Sequence, residues 1–237
     1  FDFIHKLLLY KVLVKNLTLI IPAKNEKESL PYVLNEIKNL DCKKKVILAS
    51  DDFETISAIK DPDVQIIYQH NRGFGDALIS GINAVDTDYF CIFNADGSFD
   101  PSELPNMLLL IEKSNSDFIF ASRYQDNSGS KDDTFITLVG NLIFTLLGKI
   151  FFRLPITDIL YTYVLGRAKK AKELKLSLKD FGFCVELPIK AKRMNMKLLS
   201  SSSYERKRIA GFKKVNAFKD GLSILIHMIK LFFNNKK

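Results

Sequence analysis

The chain has 237 residues, of which 47% are hydrophobic, and a formal net charge of +8. This apolar content suffices for a full core and argues against an intrinsically disordered chain. Its three cysteines are odd in number and far apart, which argues against both a disulfide-stapled secreted domain and a zinc site.

The positive charge lies mainly near the C-terminus, where residues 190–237 carry a net charge of +11 against +8 for the whole chain. Such a segment either forms a solvated basic surface or meets an anionic partner. A phosphorylated substrate, an anionic membrane and a nucleic acid are all anionic partners of this kind. The segment lacks the interleaved aromatic residues that stack on bases, so we expect no nucleic-acid partner.

Residues 1–16 form an apolar segment that His5, Lys6 and Lys11 interrupt. It is too interrupted for a signal peptide and too short to span a bilayer. The chain begins with Phe1 rather than Met, so this segment could be truncated at its N-terminus.

From residue 17 to residue 121, β-rich runs alternate with stretches of helical apolar spacing. The predicted strands are Leu17–Ile21, Lys45–Ala49, Val64–Tyr68, Tyr89–Asn94 and Asp117–Ala121. The predicted helices are Lys27–Leu40, Phe74–Val85 and Pro101–Lys113. This alternation predicts an α/β fold with a mostly parallel sheet, flanked by helices and joined by right-handed crossovers.

After Ser122 the pattern changes to a polar loop, predicted to be mobile, and then to long apolar segments. The loop covers Gln125–Asp133, a helix is predicted over Phe183–Met194, and a short strand over Lys197–Ser201. The apolar stretch Thr134–Ile156 is nearly long enough to cross a bilayer, but Asn141, Lys149 and Arg153 interrupt it. We therefore expect an amphipathic helix that lies at a membrane interface or packs on the sheet. Asn216–Phe233 is interpreted as an amphipathic tail that lies on a membrane or covers the core.

Polar loops follow the first two predicted strands, Pro22–Glu26 after the first and Ser50–Asp52 after the second. The carboxyl ends of parallel strands are where nucleotides bind in such sheets. The alternative for both loops is helix capping, by Asn25 in one and by the paired acids Asp51 and Asp52 in the other.

A glycine-containing stretch, Asn71–Gly81, follows the third predicted strand. Gly73 and Gly75 allow a tight turn and a close approach of the backbone to a ligand. Its position after the third strand differs from that of the dinucleotide-binding fingerprint, which follows the first. A purely structural turn is the alternative.

The apolar run that begins at Phe90 ends in an acid, Asp96. A carboxylate at the end of a buried parallel strand is placed to hold Mg²⁺ or Mn²⁺, which in turn would hold a diphosphate. Asn94 and Ser98 are further candidate ligands. A neutral amide such as that of Asn94 binds a metal through its oxygen, with less charge attraction than an acid.

A cluster of cations surrounds Gly211 between Arg206 and Lys214. Arginine and lysine side chains in a polar loop suit phosphate binding. The alternative is a disordered basic loop.

In order and spacing, these motifs resemble the family 2 glycosyltransferases of GT-A fold. The resemblance extends from about Leu17 to Ile229 and is closest to the dolichyl- and polyprenyl-phosphate sugar synthases. It is carried by Pro22-Ala-Lys-Asn-Glu26, the acids near residue 51, Asn71-x-Gly-x-Gly-x-Ala, Asn94-Ala-Asp-Gly-Ser-x-Asp-Pro101, Ala121-Ser-Arg-Tyr124 and Arg208-Ile-Ala-Gly211-Phe-Lys-Lys214. The chain departs from the family at three places: Asn94 replaces an acid, residues 159–162 lack Ser-Gly-Phe, and Lys213 stands at a usual serine.

The resemblance implies an inverting, metal-dependent enzyme that moves a sugar from a nucleotide diphosphate sugar to a polyprenyl or dolichyl phosphate. It also implies a peripheral position at the cytoplasmic face of a membrane, and a domain over residues 17–215 followed by a tail over 216–237. The implied catalytic residues are Asp96, Arg123 and Asp158. The implied nucleotide-sugar residues are Pro22, Ala23, Asn25, Glu26, Asp51, Asp52, Gly73, Gly75, Asn94, Ala95 and Asp96. The implied acceptor-phosphate residues are Arg123, Arg206, Arg208 and Lys214, and the implied metal ligands are Asp96, Asn94 and Ser98.

Two other functions stay open at this point. If the acceptor were a hydroxyl of a glycan or glycolipid, the reaction would need a general base, and Asp158 is the best candidate for it. Asn94 in place of an acid also allows an inactive homologue that only binds nucleotide sugars. The sequence does not identify the sugar, the nucleotide or the oligomeric state.

Overall fold

The structure, a computed structural model, describes residues 2–211 and 214–234, so the substitution at Lys213 lies outside the described residues. Its helices are α1 (Asp2–Lys15), α2 (Leu30–Ile37), α3 (Phe53–Ala58), α4 (Phe74–Ala84), α5 (Leu104–Ser114), α6 (Phe135–Phe152), α7 (Ala168–Glu173), α8 (Phe183–Arg193) and α9 (Ala217–Phe233). Its strands are β1 (Leu17–Pro22), β2 (Lys43–Leu48), β3 (Val64–Tyr68), β4 (Tyr89–Ile92), β5 (Phe118–Ser122), β6 (Gly129–Ser130), β7 (Val164–Arg167), β8 (Leu198–Ser202) and β9 (Tyr204–Glu205).

Within the described residues, seven strands form one sheet in the order β3-β2-β1-β4-β7-β5-β8. All pairings are parallel except those of β7, which runs antiparallel to both β4 and β5. The predicted α/β fold with a mostly parallel sheet is confirmed. Because β1, β2 and β4 are parallel, the loops that follow them meet at one edge of the sheet.

The antiparallel strand β7 was not predicted from the sequence. It is only four residues long and contains a glycine, so it lacks the usual pattern of a strand. Gly166 is required by packing, since a Cβ there would lie 2.5 Å from the ring of Phe118 and 2.7 Å from that of Phe90. Three short or exposed helices, α1, α3 and α7, were also not predicted.

Several predicted boundaries differ from the structure: the helix predicted over Lys27–Leu40, for example, covers only Leu30–Ile37. The helix predicted to begin at Pro101 begins with a 3-10 turn, Pro101–Glu103, before α5. The stretch predicted as a mobile loop contains the short strand β6, which pairs in parallel with β9. This pairing holds the loop beside the C-terminal strand, although the two are far apart in sequence.

Helices cover both faces of the sheet and create two apolar cores. One core includes buried residues of α1, α2 and α5, and the other includes those of α4, α8 and α9. An aromatic cluster in the first core supports the loop after β4: Tyr163 stacks on Phe99 at 4.6 Å, and its hydroxyl donates to the Asp100 carbonyl at 2.8 Å. The cores therefore fix the strand ends on which the site is built.

Helix α6 has its polar and apolar faces reversed relative to an ordinary surface helix. Its fully buried residues are Asn141, Thr145 and Gly148, whereas its large apolar side chains are mostly exposed. It packs on α8 and α9, whereas the sequence predicted that it lies at a membrane interface or packs on the sheet. Among the described residues it is the one helix long and apolar enough to cross a membrane, and 17% of it is buried.

We predict that Gly166→Ala destabilises the protein, because the added methyl group must displace two buried aromatic rings. Overpacking of this kind costs about 1–3 kcal/mol. Urea denaturation followed by circular dichroism measures the free energy of unfolding. Gly140→Ala in α6 is the matched control, since an added Cβ meets no atom within 4 Å and we expect no loss of stability. Equal stabilities of the two variants would contradict the packing argument.

Candidate active site

A cavity of about 1040 Å³ opens at the carboxyl ends of β1, β2 and β4 and continues between α6 and α9. Most of the predicted site residues line it. These are Pro22, Ala23, Asn25, Glu26, Asp51, Asp52, Gly73, Asn94, Ala95, Asp96, Ser98, Arg123, Arg208 and Lys214. Three predicted residues, Gly75, Arg206 and Asp158, do not line the cavity.

Gly73 and Gly75 serve the packing of two chain segments. A Cβ on Gly73 would lie 2.1 Å from the Lys179 carbonyl oxygen, and one on Gly75 would lie 2.2 Å from that of Leu178. Gly73 also has φ of +133°, which few side chains tolerate. The close backbone approach expected at these glycines is therefore made to residues 178–180, and only Gly73 also borders the cavity.

The paired acids after β2 have different surroundings. Asp52 caps α3, with Oδ1 accepting from the Thr55 backbone N–H at 3.3 Å and Oδ2 accepting from that of Asn25 at 2.8 Å. The capping alternative thus holds for Asp52, which also ties together the loops after β1 and β2. Asp51 is exposed and forms a 2.8 Å ion pair with Arg72 at the cavity wall.

Asp96 follows β4 and lines the cavity. Its Oδ1 accepts from the Ser98 backbone N–H at 3.0 Å, and its Oδ2 lies 3.6 Å from a guanidinium nitrogen of Arg208. Asn94 Nδ2 approaches the Ser98 hydroxyl at 3.4 Å. The carboxylate of Asp96, the amide of Asn94 and the hydroxyl of Ser98 thus lie close together, and each offers an oxygen ligand to a metal ion.

The described residues contain no group of three or more His, Cys, Asp or Glu arranged to hold a metal. Mg²⁺ in phosphate-transfer sites is usually held by one or two carboxylates, with substrate phosphates and waters completing its shell. The oxygen ligands of Asp96, Asn94 and Ser98 fit a divalent cation that binds together with a diphosphate, rather than a cation held by the protein alone.

Three of the predicted phosphate-binding cations, Arg123, Arg208 and Lys214, line the cavity, and each is paired with at least one acid. Lys214 forms an ion pair with Glu26. Arg208 is bidentate with Asp132, at 2.9 and 3.3 Å. Burial lowers the pKa of Arg208, but its hydrogen bonds to Asp132 and the charge of Asp96 outweigh burial and raise it.

Arg206 points away from the cavity. It forms a bidentate pair with Glu36 at 2.6 and 2.8 Å, and its backbone N–H donates to the Ser98 carbonyl at 2.8 Å. The prediction that its side chain binds an acceptor phosphate therefore does not fit this placement. It fastens the basic segment to the loop that carries Asp96.

Arg123 lies at the end of β5 and is surrounded by three carboxylates. Its Nε and Nη2 donate to Asp158 at 2.8 and 3.1 Å, and its Nη1 lies 3.1 Å from Glu205 and 3.5 Å from Asp133. Its guanidinium also lies 4.5 Å from the ring centre of Tyr161. Burial lowers the pKa of Arg123, but the three acids together raise it well above its usual value.

Asp158 is fully buried and out of contact with the cavity. Besides Arg123, it accepts from Asn141 Nδ2 at 2.8 Å and from the Arg123 backbone N–H at 3.2 Å. A carboxylate with both oxygens paired and no exposed surface cannot reach a substrate hydroxyl. In this position Asp158 orients Arg123 rather than touching the reactants.

Several residues that line the cavity were not predicted as site residues from the sequence. Glu205, Asp132 and Asp133 belong to a polar loop and a basic segment that were assigned only by their general character. Asn141 was noted only as an interruption of an apolar stretch. A polar residue in the middle of such a stretch was the available signal, because it must find a partner when buried.

Comparisons with known proteins identify relatives in sequence and neighbours in fold. The sequence model described as Glycosyl transferase family 2 matches residues 18–175. An uncharacterized glycosyltransferase of Mycobacterium tuberculosis is 26% identical over 211 residues, covering 88% of this chain and 94% of the relative. An undecaprenyl-phosphate mannosyltransferase of Micrococcus luteus is 25% identical over 194 residues, covering 76% and 79% respectively.

Among solved structures, the fold is similar to that of glucosyl-3-phosphoglycerate synthase from Mycobacterium tuberculosis, in complex with Mn²⁺, uridine diphosphate and phosphoglyceric acid. The TM-score is 0.71 at 12% identity, over 96% of this chain and 84% of the other. At this identity the similarity concerns the fold alone.

We predict that Arg123→Met destabilises the protein strongly, because it leaves Asp158 buried without its cation. Breaking a buried pair on one side costs about 3–5 kcal/mol. The matched control is Arg72→Met, whose ion pair with Asp51 is exposed and worth less than about 1 kcal/mol. Urea denaturation at neutral pH measures both, and similar losses in the two variants would contradict the buried-pair assignment.

Proposed function

The chain belongs to glycosyl transferase family 2, and we propose that it transfers a sugar from a nucleotide diphosphate sugar to a polyprenyl phosphate at a membrane surface. The observation that carries this proposal is the shape of the cavity. One continuous space joins a polar end, at the strand ends, to an apolar end between α6 and α9. A sugar donor suits the first end, and a lipid carrying one phosphate suits the second.

The apolar end is built from side chains that are otherwise unfavourably exposed. Ile136 and Ile143 of α6 are 56% and 52% exposed, and Phe218 of α9 is 79% exposed, yet all three line the cavity. Gly140 and Gly221 line the same stretch and leave room for a chain between the helices. An isoprenoid chain would cover this surface and remove it from water.

At the polar end, we propose that the loops after β1 and β2 hold the nucleoside, with Asn25, Asp51 and Asp52 at its wall. Asp96, with Asn94 and Ser98, would hold Mg²⁺ or Mn²⁺. When bound, the metal stabilises negative charge on the departing diphosphate. Asp96 is itself oriented by the Ser98 N–H, so its carboxylate is fixed before a ligand arrives.

The acceptor phosphate would lie among Arg123, Arg208 and Lys214, which border the same cavity. Each of these cations is paired with an acid in this structure. A bound phosphate would therefore replace the acid as the partner of their N–H groups. A phosphate oxygen is anionic at neutral pH and needs no strong base to attack the sugar. Attack from the face opposite the diphosphate gives the inverted glycosyl phosphate.

The relatives support a lipid phosphate acceptor over a hydroxyl. The Micrococcus luteus relative is named as an undecaprenyl-phosphate mannosyltransferase. A hydroxyl acceptor would need a general base, and the candidate from the sequence, Asp158, is buried and paired. The alternative of an inactive nucleotide-sugar-binding homologue rests on Asn94, and the following assay decides it.

We predict Mn²⁺-dependent transfer of a labelled sugar from a panel of nucleotide sugars to polyprenyl phosphate, giving an acid-labile glycosyl lipid phosphate. Asp96→Ala should lower the turnover rate at least about 100-fold, because the charge on the leaving diphosphate loses its metal. An acid-stable glycosidic product would favour a hydroxyl acceptor, and no turnover with any donor would favour the inactive homologue.

Asn94→Asp tests the departure from the family's acidic pair. A second carboxylate should keep or increase the affinity for Mn²⁺, measured by calorimetry in the presence of uridine or guanosine diphosphate. If metal affinity holds but activity collapses, the amide of Asn94 has its own role in the reaction.

For the placement on a membrane, we propose that α6 and α9 lie on the cytoplasmic leaflet as peripheral elements. Their exposed apolar residues are flanked by Lys149, Arg153, Lys219 and Lys230. Cations near an anionic surface contribute roughly 1 kcal/mol each. The buried Asn141 fastens α6 to the domain, which favours a helix lying on the bilayer over one that crosses it.

We predict that the double variant Ile150→Glu and Phe233→Glu binds anionic phosphatidylglycerol vesicles at least about tenfold more weakly than the wild type, because two apolar contacts are replaced by charges. These residues are 60% and 76% exposed. Tyr32→Glu is the control, since Tyr32 is 66% exposed on α2, which packs on the other core. Vesicle sedimentation measures binding, and equal loss in the control would contradict the assignment of this face.

A further inference from the structure

The buried face of α6 makes specific polar contacts with residues 154–159. Thr145 Oγ1 accepts from the Ile159 backbone N–H at 3.2 Å, and the Gly148 carbonyl accepts from that of Leu154 at 3.2 Å. Asn141 Nδ2 donates to Asp158 Oδ1 at 2.8 Å. Asn141, Thr145 and Gly148 lie on one face of the helix, so α6 is seated on the segment that carries Asp158.

Asn141 is the member of this face that reaches the ionic cluster. Its side chain is 3% exposed, and Nδ2 also lies 3.2 Å from the Tyr124 hydroxyl, which donates to Asp133 at 2.7 Å. Among the described residues, its Oδ1 is one of few buried side-chain atoms without a hydrogen-bond partner. Burying an amide oxygen without a hydrogen-bond partner is unfavourable. The presence of Asn141 in an apolar helix therefore indicates a requirement other than packing.

The contact with Asp158 bears on the direction of a catalytic side chain. Asp158 binds Arg123 through both of its oxygens, and the oxygen that Asn141 contacts is the one that also accepts from Arg123 Nη2. Without Asn141, Oδ1 of Asp158 would be held by the Arg123 side chain alone, while Oδ2 would still accept from the Arg123 backbone N–H. Glu205 and Asp133 would then attract Arg123 from the other side.

We propose that Asn141 is a positioning residue, which holds Asp158 and through it keeps Arg123 aimed at the acceptor phosphate. The role of Arg123 rests on the proposed function, whereas the link from Asn141 to Arg123 is a property of the fold. The same helix presents its opposite face to the lipid end of the cavity. The side chain of Asn141 thus links the packing of α6 to the orientation of the Arg123 side chain.

The test compares Asn141→Leu, which is similar in size but cannot donate, with Gly166→Ala, which perturbs the sheet away from the cavity. Nitrogen-15 NMR of the arginine Nε–H groups, with Arg123 assigned from Arg123→Met, reports the pair with Asp158 directly. We expect exchange of the Arg123 Nε–H with water to accelerate at least about tenfold in Asn141→Leu and to change less than about twofold in Gly166→Ala.

Kinetic measurements then distinguish a loss of Arg123 positioning from a general loss of structure. In Asn141→Leu we expect kcat/KM for polyprenyl phosphate to fall about 10–100-fold, since small misplacements of a binding group cost this much. The Kd for uridine or guanosine diphosphate with Mn²⁺ should stay within about twofold. An unchanged exchange rate of the Arg123 Nε–H in Asn141→Leu would overturn the proposal. Losses in nucleotide affinity and in kcat/KM for polyprenyl phosphate that match those of Gly166→Ala would also overturn it. A wild type that transfers no sugar to polyprenyl phosphate would refute the proposed function, while the NMR comparison would still decide the role of Asn141.

Discussion

The buried ion pair between Arg123 and Asp158 is the constraint on which the rest of the site depends. Taking two charges out of water costs several kcal/mol for each ion, so the pair persists only with good geometry and further hydrogen bonds. These come from α6 through Asn141 and from β9 through Glu205. The end of β5, the segment after α6 and the C-terminal strand therefore converge on one cluster, although they are separated by up to 82 residues in sequence.

The reversed faces of α6 follow from this cluster. A helix that must supply a donor to a buried carboxylate needs a polar inner face, and Asn141 and Thr145 provide it. Its apolar residues are then directed outward, where they are stable only if something apolar covers them. The same helix thus helps build a charged site on one side and, in the proposed function, meets lipid on the other.

The sequence predicted well what depends on local pattern. Alternating strands and helices identified the sheet, and the apolar run that ends at Asp96 correctly placed this residue after a strand, β4. What depends on distant partners was not predictable. Strand β7 is defined by its neighbours, and its Gly166 is explained only by the rings of Phe90 and Phe118. Asp158 was predicted as a catalytic residue, but its burial against Arg123 could be seen only in the structure.

The charges around the donor end explain how a single acid could suffice after β4. Arg208 lies between Asp96 and Asp132, so each of these acids already competes for its guanidinium. A second carboxylate at position 94 would attract a metal more strongly, but it would also add negative charge to the loop that carries Asp96, whose carboxylate lies 3.6 Å from Arg208. If Arg208 must turn from these acids to a phosphate, that added charge would oppose the change. In the proposed function, Asn94 would lower the attraction for the metal and, for the same electrostatic reason, would loosen the hold on Arg208, which the acceptor phosphate would need.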